Sequence, residues 1–170
     1  MFSAILLGIV QGVTEFLPVS SSGHLVLYQQ FLPAPESEVL FDLVLHLGTL
    51  LPVFWLFRND LIGMTLAPFS ERGPVEKRPH TRMLVLLIVG SIPTAAIGLT
   101  FEDFFEQLFS TPATLGITFA ITGTLLYATK KAPSGNRETL DIGLQQALII
   151  GFVQGLAIAP GISRSGSTIA

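Results

Sequence analysis

At 170 residues, with 49% hydrophobic side chains, 12% charged ones and a mean hydropathy of +0.64, the chain is too apolar for an ordinary water-soluble domain and suits a membrane protein. A net charge of -3 offers no basic field, and no nucleic-acid partner is expected. The absence of cysteine excludes disulfides and thiolate metal sites.

In chain order, Met1 to Val19 lacks a basic n-region and an A-x-A-like cleavage site, so it is expected to stay in the mature protein. Its apolar start leads into QGVTEFLPVSSSGH, Gln11 to His24. About ten apolar residues precede Gln11, and at about 1.5 Å each they reach roughly half the ~30 Å hydrocarbon depth. The polar tip is therefore expected near the midplane. Glu15 is the lone acid of its run, and Gln11 shares its helix face one turn earlier. A carboxylate at that depth is a functional candidate by default, and with an amide oxygen it could hold Mg²⁺ or Ca²⁺. The plainer alternative is a helix-packing polar pair. In PVSSSGH, Ser20, Ser21 and Ser22 could present hydroxyls and N–H groups to an anion, or simply cap the next helix. His24 could serve as nucleophile or acid-base group, or be a buried hydrogen-bonded residue.

Three apolar runs approach the length of a spanning helix: Val39 to Phe57, Met83 to Phe101 and Ala113 to Thr129. Asp42 and His46, at the head of the first, could line a site mouth or pair with one another. Pro68 to Pro79 and Ala132 to Gly143 read as loops. Arg58, Arg72, Lys77, Arg78 and Arg82 lie between the first and second spans, and Lys130, Lys131 and Arg137 follow the third. The connection at Glu102, Asp103 and Glu106 carries acids only, as does the region of Glu36 and Glu38. The positive-inside rule then makes the basic loops cytoplasmic.

From Leu144 a second half-length apolar run leads to PGISRSGST, Pro160 to Thr168. Shifted by 143 residues, IVQGVTEFLPVSSSGH lies on FVQGLAIAPGISRSGS: Gln11 meets Gln154, Gly12 meets Gly155, Ser20 meets Ser163, Ser22 meets Ser165 and Gly23 meets Gly166. An internal duplication is the better explanation than chance. If each element turns at its tip and leaves by the same side, three crossings separate the two and the repeats have opposite orientation. If each instead spans, four crossings intervene and the repeats are parallel; the re-entrant version is the expected one. Irregular backbone at membrane depth belongs where it is buried or lines a wet cavity. Arg164, flanked by Ser163 and Ser165 and bounded by Gly161 and Thr168, is the one base outside the loops. Its planar fork suits phosphate oxygens; snorkelling is the alternative. One tip with acid, hydroxyls and imidazole facing another with arginine and hydroxyls suits phosphoryl transfer.

These residues resemble the undecaprenyl-pyrophosphate phosphatases of bacteria, also called bacitracin-resistance proteins. QGVTEFLPVSSSGH looks like that family's (E/Q)-x-x-x-E segment with its following P-V-S-S-(S/T)-G-H, and PGISRSGST matches P-G-x-S-R-S-x-x-T. The resemblance includes FDLVLHLGTL around Asp42. It implies hydrolysis of the C55 isoprenoid pyrophosphate to the monophosphate with a divalent cation, Mg²⁺ or Ca²⁺, in the bacterial cytoplasmic membrane. The implied catalytic set is Glu15, Ser21, His24 and Arg164. Gln11, Ser20, Ser22, Gly161, Ser163, Ser165 and Thr168 would bind substrate, and Glu15 with Gln11 the metal. Two departures stand out. Position 11 is Gln where many members have Glu, and the chain stops after the second motif where members continue through further helices, so a fragment with little activity of its own is expected.

The expected fold class is an all-α integral membrane protein, with spanning helices plus two re-entrant helix-loop-helix elements in an inverted-topology repeat, C-terminally truncated. Residues 1–170 form one membrane domain, the first repeat about 1–130 and the start of the second about 144–170. The partners are a polyprenyl pyrophosphate lipid and membrane lipids. Oligomeric state, a homodimer included, is left open, as are the attacking group (Ser21, His24 or water) and the side to which the site opens. The competing function is a polyprenyl-phosphate or small-anion transporter or flippase, since inverted repeats with broken helices also build secondary carriers. A structural subunit would leave Glu15 and Arg164 unexplained.

Overall fold

The computed structural model describes residues 2–32, 38–75, 78–130 and 142–169. Among the described residues the ordered structure is helical: α1 (Phe2–Thr14), α2 (Ser21–Gln29), α3 (Glu38–Leu56), α4 (Arg58–Ser70), α5 (Pro79–Thr100), α6 (Glu102–Phe109), α7 (Leu115–Thr129), α8 (Leu144–Leu156) and α9 (Arg164–Ile169). A 3-10 turn, Pro112–Thr114, leads into α7. The three long apolar runs become α3, α5 and α7, and the two polar stretches become the turns between α1 and α2 and between α8 and α9.

Among the described residues, α5 alone is by length and composition long and apolar enough to cross a membrane. Leu40–Leu56 with Arg58–Ser70 (bent 75°), and Glu102–Phe109 with Pro112–Thr129 (bent 88°), reach that standard only as pairs, which gives up to three spans among the described residues. Helices α1 and α8 are shorter, 13 residues each. The surface agrees with an apolar surround. Phe69 is 88% exposed, Phe2 77% and Trp55 72%, values that suit lipid contact better than water.

Two helices lie where the sequence reads as connection. The loop expected from Pro68 begins three residues later: α4 carries Pro68 in its last turn, where the ring leaves the Met64 carbonyl without its usual donor and the helix ends two residues on. Helix α6 occupies the acidic connection, with Glu102 and Asp103 in its first turn, where the helix dipole favours negative charge, and Phe105 buried. Glu36, Lys77, Lys131, Arg137 and all but the last two residues of the expected Ala132 to Gly143 loop lie outside the described residues.

The most extensive helix contact is α5 on α8. It rests on a row of small residues, Ala147, Gly151 and Gly155, at helical spacing on α8. A Cβ built on Gly151 would lie 1.8 Å from the Gly90 carbonyl oxygen, and one on Gly155 would lie 2.6 Å from Ile97 Cδ1. Thr94 Oγ1 donates to the Gly151 carbonyl at 2.7 Å across the same seam. Arg82 Nη2 donates to the Ile142 carbonyl and ties the chain entering α8 to the start of α5.

Between α4 and α5, the Glu71 carboxylate receives four donors from the first turn of α5: the backbone N–H and Nδ1 of His80, at 3.3 and 3.0 Å, and the N–H and hydroxyl of Thr81, at 3.1 and 2.9 Å. The two backbone N–H groups are among those a helix start leaves without intrahelical partners. Desolvation alone raises this carboxyl's pKa; the donors from Thr81 and His80 outweigh it and lower the group from 4.5 to about 2.

Gly151→Ala is expected to force α5 and α8 apart and destabilise by about 1–3 kcal/mol, the usual range for overpacking. Gly123→Ala on α7, where a Cβ meets nothing within 4 Å, should leave thermal unfolding in detergent unchanged or slightly raised. Because the folded pKa of Glu71 lies below its ordinary value, its stabilisation is complete above pH 4.5 and is lost as pH falls toward about 2. Protection of the His80 and Thr81 amides, their exchange taken relative to the intrinsic rate at each pH, should fall across that window in the wild type, whereas Glu71→Gln should be less protected above it and show no titration.

Candidate active site

The first tip follows from local chemistry. Gln11 and Glu15 stand one turn apart, and Gln11 Nε2 donates to Glu15 Oε2 at 2.9 Å. Ser21 Oγ donates to the same carboxylate oxygen. Ser20 caps α2: its hydroxyl accepts from the Gly23 N–H at 3.4 Å, and its carbonyl receives the His24 N–H and, at 2.8 Å, His24 Nδ1. Ser20 holds a positive φ of 65°, sparsely populated for a residue with a Cβ. Five hydrogen bonds on one residue hold it there: the three at the hydroxyl and carbonyl just named, one between Ser20 Oγ and Ser22 Oγ at 3.4 Å, and one from the Gly161 N–H to Ser20 Oγ at 3.1 Å.

The second tip repeats this pattern 143 residues later. Ser163 Oγ accepts from the Gly166 N–H at 3.0 Å and meets Ser165 Oγ at 3.2 Å, as Ser20 Oγ accepts from Gly23 and meets Ser22 Oγ at 3.4 Å. Ser167 N–H donates to the Ser163 carbonyl as His24 N–H does to Ser20. The turn here is made by Gly161, at φ 88°, where a Cβ would lie 2.0 Å from Thr118 Oγ1. Helix α7 grips this tip through Thr122, whose hydroxyl donates to the Gly161 carbonyl at 2.8 Å and accepts from the Ser163 N–H at 3.1 Å.

The tips touch through their smallest residues, and the contact is reciprocal. A Cβ on Gly23 would lie 2.7 Å from Gly161 Cα, and one on Gly166 would lie 3.2 Å from the Pro18 carbonyl oxygen. Gly23 and Gly166 occupy equivalent positions in the sequence repeat, as do Pro18 and Gly161. One bond has no counterpart: Ser20 Oγ accepts from the Gly161 N–H, but Pro18 has no N–H to offer Ser163.

Between the tips opens a cleft of about 330 Å³ lined by Glu15, Ser20, Ser21 and Ser22 on one wall and Ser163, Arg164, Ser165 and Thr168 on the other. Among the described residues the Arg164 guanidinium enters no hydrogen bond or ion pair, so its charge and five N–H donors face the cleft uncommitted. Of the eleven residues expected at a site, eight line the cleft. Gln11 is fully buried behind Glu15, Gly161 is buried at the contact between the tips, and His24 lies outside the lining with its ring edge-on to Phe119 at 5.1 Å. Four further residues join the lining, the apolar Leu17 and Ile162 and the polar His46 and Gln154. His46, weighed in the sequence only as a mouth or pairing residue, brings Nε2 to 3.8 Å from Glu15 Oε2. Asp42 Oδ1 accepts from Gln29 Nε2, and the Asp42 carbonyl receives His46 Nδ1. Gln154 also lines the cleft, and its match to Gln11 in the repeat was the signal that could have placed it on the list.

The donors fit a hard divalent cation in part. Glu15 offers a carboxylate to the cleft, and the neighbouring Gln11 Oε1 is a buried oxygen with no hydrogen-bond partner. Among the described residues no cluster of three or more His, Cys, Asp or Glu side chains stands ready, so phosphate oxygens would have to complete the shell.

The family described as Bacitracin resistance protein BacA matches residues 4–170. The undecaprenyl-diphosphatase of Carboxydothermus hydrogenoformans is 46% identical over 168 residues, covering 99% of this chain and 60% of that protein. Those of Alkaliphilus metalliredigens and Halothermothrix orenii are 46% and 45% identical, covering 99% of this chain and 64% and 62% of theirs. The chain thus spans about three fifths of the length of these curated relatives. With the match running from residue 4 through both tips, the chain belongs to the bacitracin-resistance (BacA) family.

Proposed function

We propose that the cleft is the hydrolytic site of a membrane phosphatase that converts undecaprenyl pyrophosphate to undecaprenyl phosphate and inorganic phosphate, recycling the lipid carrier of cell-wall synthesis. The observation that carries this reading is the opposition, across one cleft, of an uncommitted arginine and a serine bound to a carboxylate. Relatives named undecaprenyl-diphosphatase, about 45% identical along nearly the whole chain, support the same substrate. In this reading the protein is a multi-pass enzyme of the bacterial cytoplasmic membrane, with the basic segments cytoplasmic. The two helix-turn-helix elements are re-entrant and related by an inverted repeat. The reciprocal Gly23–Gly161 and Gly166–Pro18 contacts support that symmetry.

The terminal phosphate lies against Arg164, with Ser163, Ser165 and Thr168 offering hydroxyls. Ser21 Oγ, already bonded to Glu15, attacks the terminal phosphorus while Glu15 takes its proton. Glu15 hands that proton to the bridging oxygen as the P–O bond breaks, so polyprenyl monophosphate leaves and Glu15 is ionised again. Water then cleaves the Ser21 phosphoester with Glu15 as base, releasing inorganic phosphate and restoring the hydroxyl. Arg164 balances the charge spread over the equatorial oxygens through both steps. Glu15, with Gln11 behind it, would hold the divalent cation, which supplies further charge neutralisation to the phosphates. Gln11 also orients Glu15 through its N–H. His24 positions the tip by donating Nδ1–H to the Ser20 carbonyl.

The test is phosphate release from C55 isoprenoid pyrophosphate by the full-length protein in detergent. Glu15→Gln, Ser21→Ala and Arg164→Ala should each lower kcat by about 10²–10³-fold, the scale of losing one transition-state contact. Chelator should stop release and added divalent cation restore it. His24→Asn, which keeps a short side-chain donor, should retain far more activity than His24→Ala; equal loss in both would put the imidazole into the chemistry instead. A wild type that binds the lipid through Arg164 and releases no phosphate would overturn the enzyme and favour a carrier.

A further inference from the structure

His46 belongs to neither tip. It stands on α3, which packs against α1, and its ring is fixed from behind: Nδ1 lies 2.8 Å from the Asp42 carbonyl oxygen. A carbonyl only accepts, so Nδ1 carries the ring hydrogen and Nε2 of the neutral imidazole presents a lone pair. That lone pair faces the cleft, with Nε2 3.8 Å from Glu15 Oε2. The separation exceeds a hydrogen bond: with Nε2 protonated the contact is an ion pair, and with Nε2 neutral its lone pair is open to a cation held by the carboxylate. Glu15 Oε2 already accepts from Gln11 and Ser21, while among the described residues Oε1 accepts from no donor, so the carboxylate keeps an oxygen for a cation. Two ligand atoms each bound at about 2.0–2.2 Å can stand as much as about 4 Å apart, so one cation can reach both side chains.

His24 is the internal comparison. It makes the same Nδ1 contact to a carbonyl four residues back, also at 2.8 Å, yet packs on Phe119 outside the cleft lining.

We propose that His46 Nε2 is a nitrogen ligand to the divalent cation seated at Glu15, which makes the centre a mixed nitrogen and oxygen site that takes Mn²⁺ in preference to Ca²⁺. Mn²⁺ stands at the weak end of the first-row series but still binds at mixed nitrogen and oxygen sites, whereas Ca²⁺ is bound by oxygen ligands. The inference rests on the phosphatase reading only for the presence of a cation in the cleft.

The probe is Mn²⁺ added to the full-length protein in detergent, read by pulsed electron paramagnetic resonance. The wild type should show a ¹⁴N coupling on bound Mn²⁺, replaced by a ¹⁵N pattern when histidine is ¹⁵N-labelled, a readout that needs no variant. His46→Gln should lose the coupling and weaken Mn²⁺ binding by about tenfold or more, while His24→Gln keeps both. Mn²⁺ bound without histidine coupling, coupling that survives His46→Gln, or no Mn²⁺ bound would each overturn the ligand. Phosphate release measured on the same preparations separates the two readings: release without histidine coupling leaves the phosphatase standing, and no release removes it.

Discussion

The structure depends on how closely two backbones approach where the tips meet. Gly23 and Gly161 leave no room for a methyl group between them, and Gly166 leaves little against Pro18. That closeness lets Ser20 Oγ reach across to the Gly161 N–H and brings Glu15 and Arg164 onto facing walls of one cleft. Small residues are the practical way to hold polar turns together in an apolar surround, because packing and interhelical hydrogen bonds, rather than the exclusion of water, must do the holding. The strained φ of Ser20 is part of the same arrangement, since each hydrogen bond that tolerates it also ties down a neighbouring element.

Much of the site was legible because its chemistry is local. A carboxylate one turn after an amide, a serine capping the helix that follows, and an arginine between two serines are patterns readable within a few residues of one another. The 143-residue repeat carried further than the motifs themselves, since it matched not only residue types but the hydrogen bonds Ser20–Gly23 and Ser163–Gly166. What could not be read is what packing alone decides. His46 reaches Glu15 because α3 lies on α1, and no spacing in the sequence encodes that contact. The burial of Gln11 and the placement of His24 against Phe119 are tertiary facts of the same kind.

The fold shows a similar division. Long apolar runs declared α3, α5 and α7, because hydrophobic length is a strong one-dimensional signal. Helices α4 and α6 were hidden, one by a proline in its last turn and the other by acids that read as a loop but favour a helix start. Both end up as the outer limbs of sharply bent pairs with α3 and α7, so the bend rather than the helix is what the sequence failed to announce.

Repeated sequence also meets two different surroundings. On α8, Gly151 and Gly155 seat α5 so tightly that a methyl group would collide with the Gly90 carbonyl and with Ile97. Their repeat mates on α1 are Gly8 and Gly12; Gly8 meets only Leu45 Cδ2, at 3.7 Å, and Gly12 meets nothing within 4 Å. One row of small residues thus fixes the second tip from behind, while the first tip is fixed by Ser20, Gly161 and the α1–α3 contact that delivers His46. The two halves of the cleft are alike in hydrogen bonding and unlike in support. The charged wall is built against a closely packed helix pair, and the carboxylate wall takes its position from the groups that touch Glu15 itself.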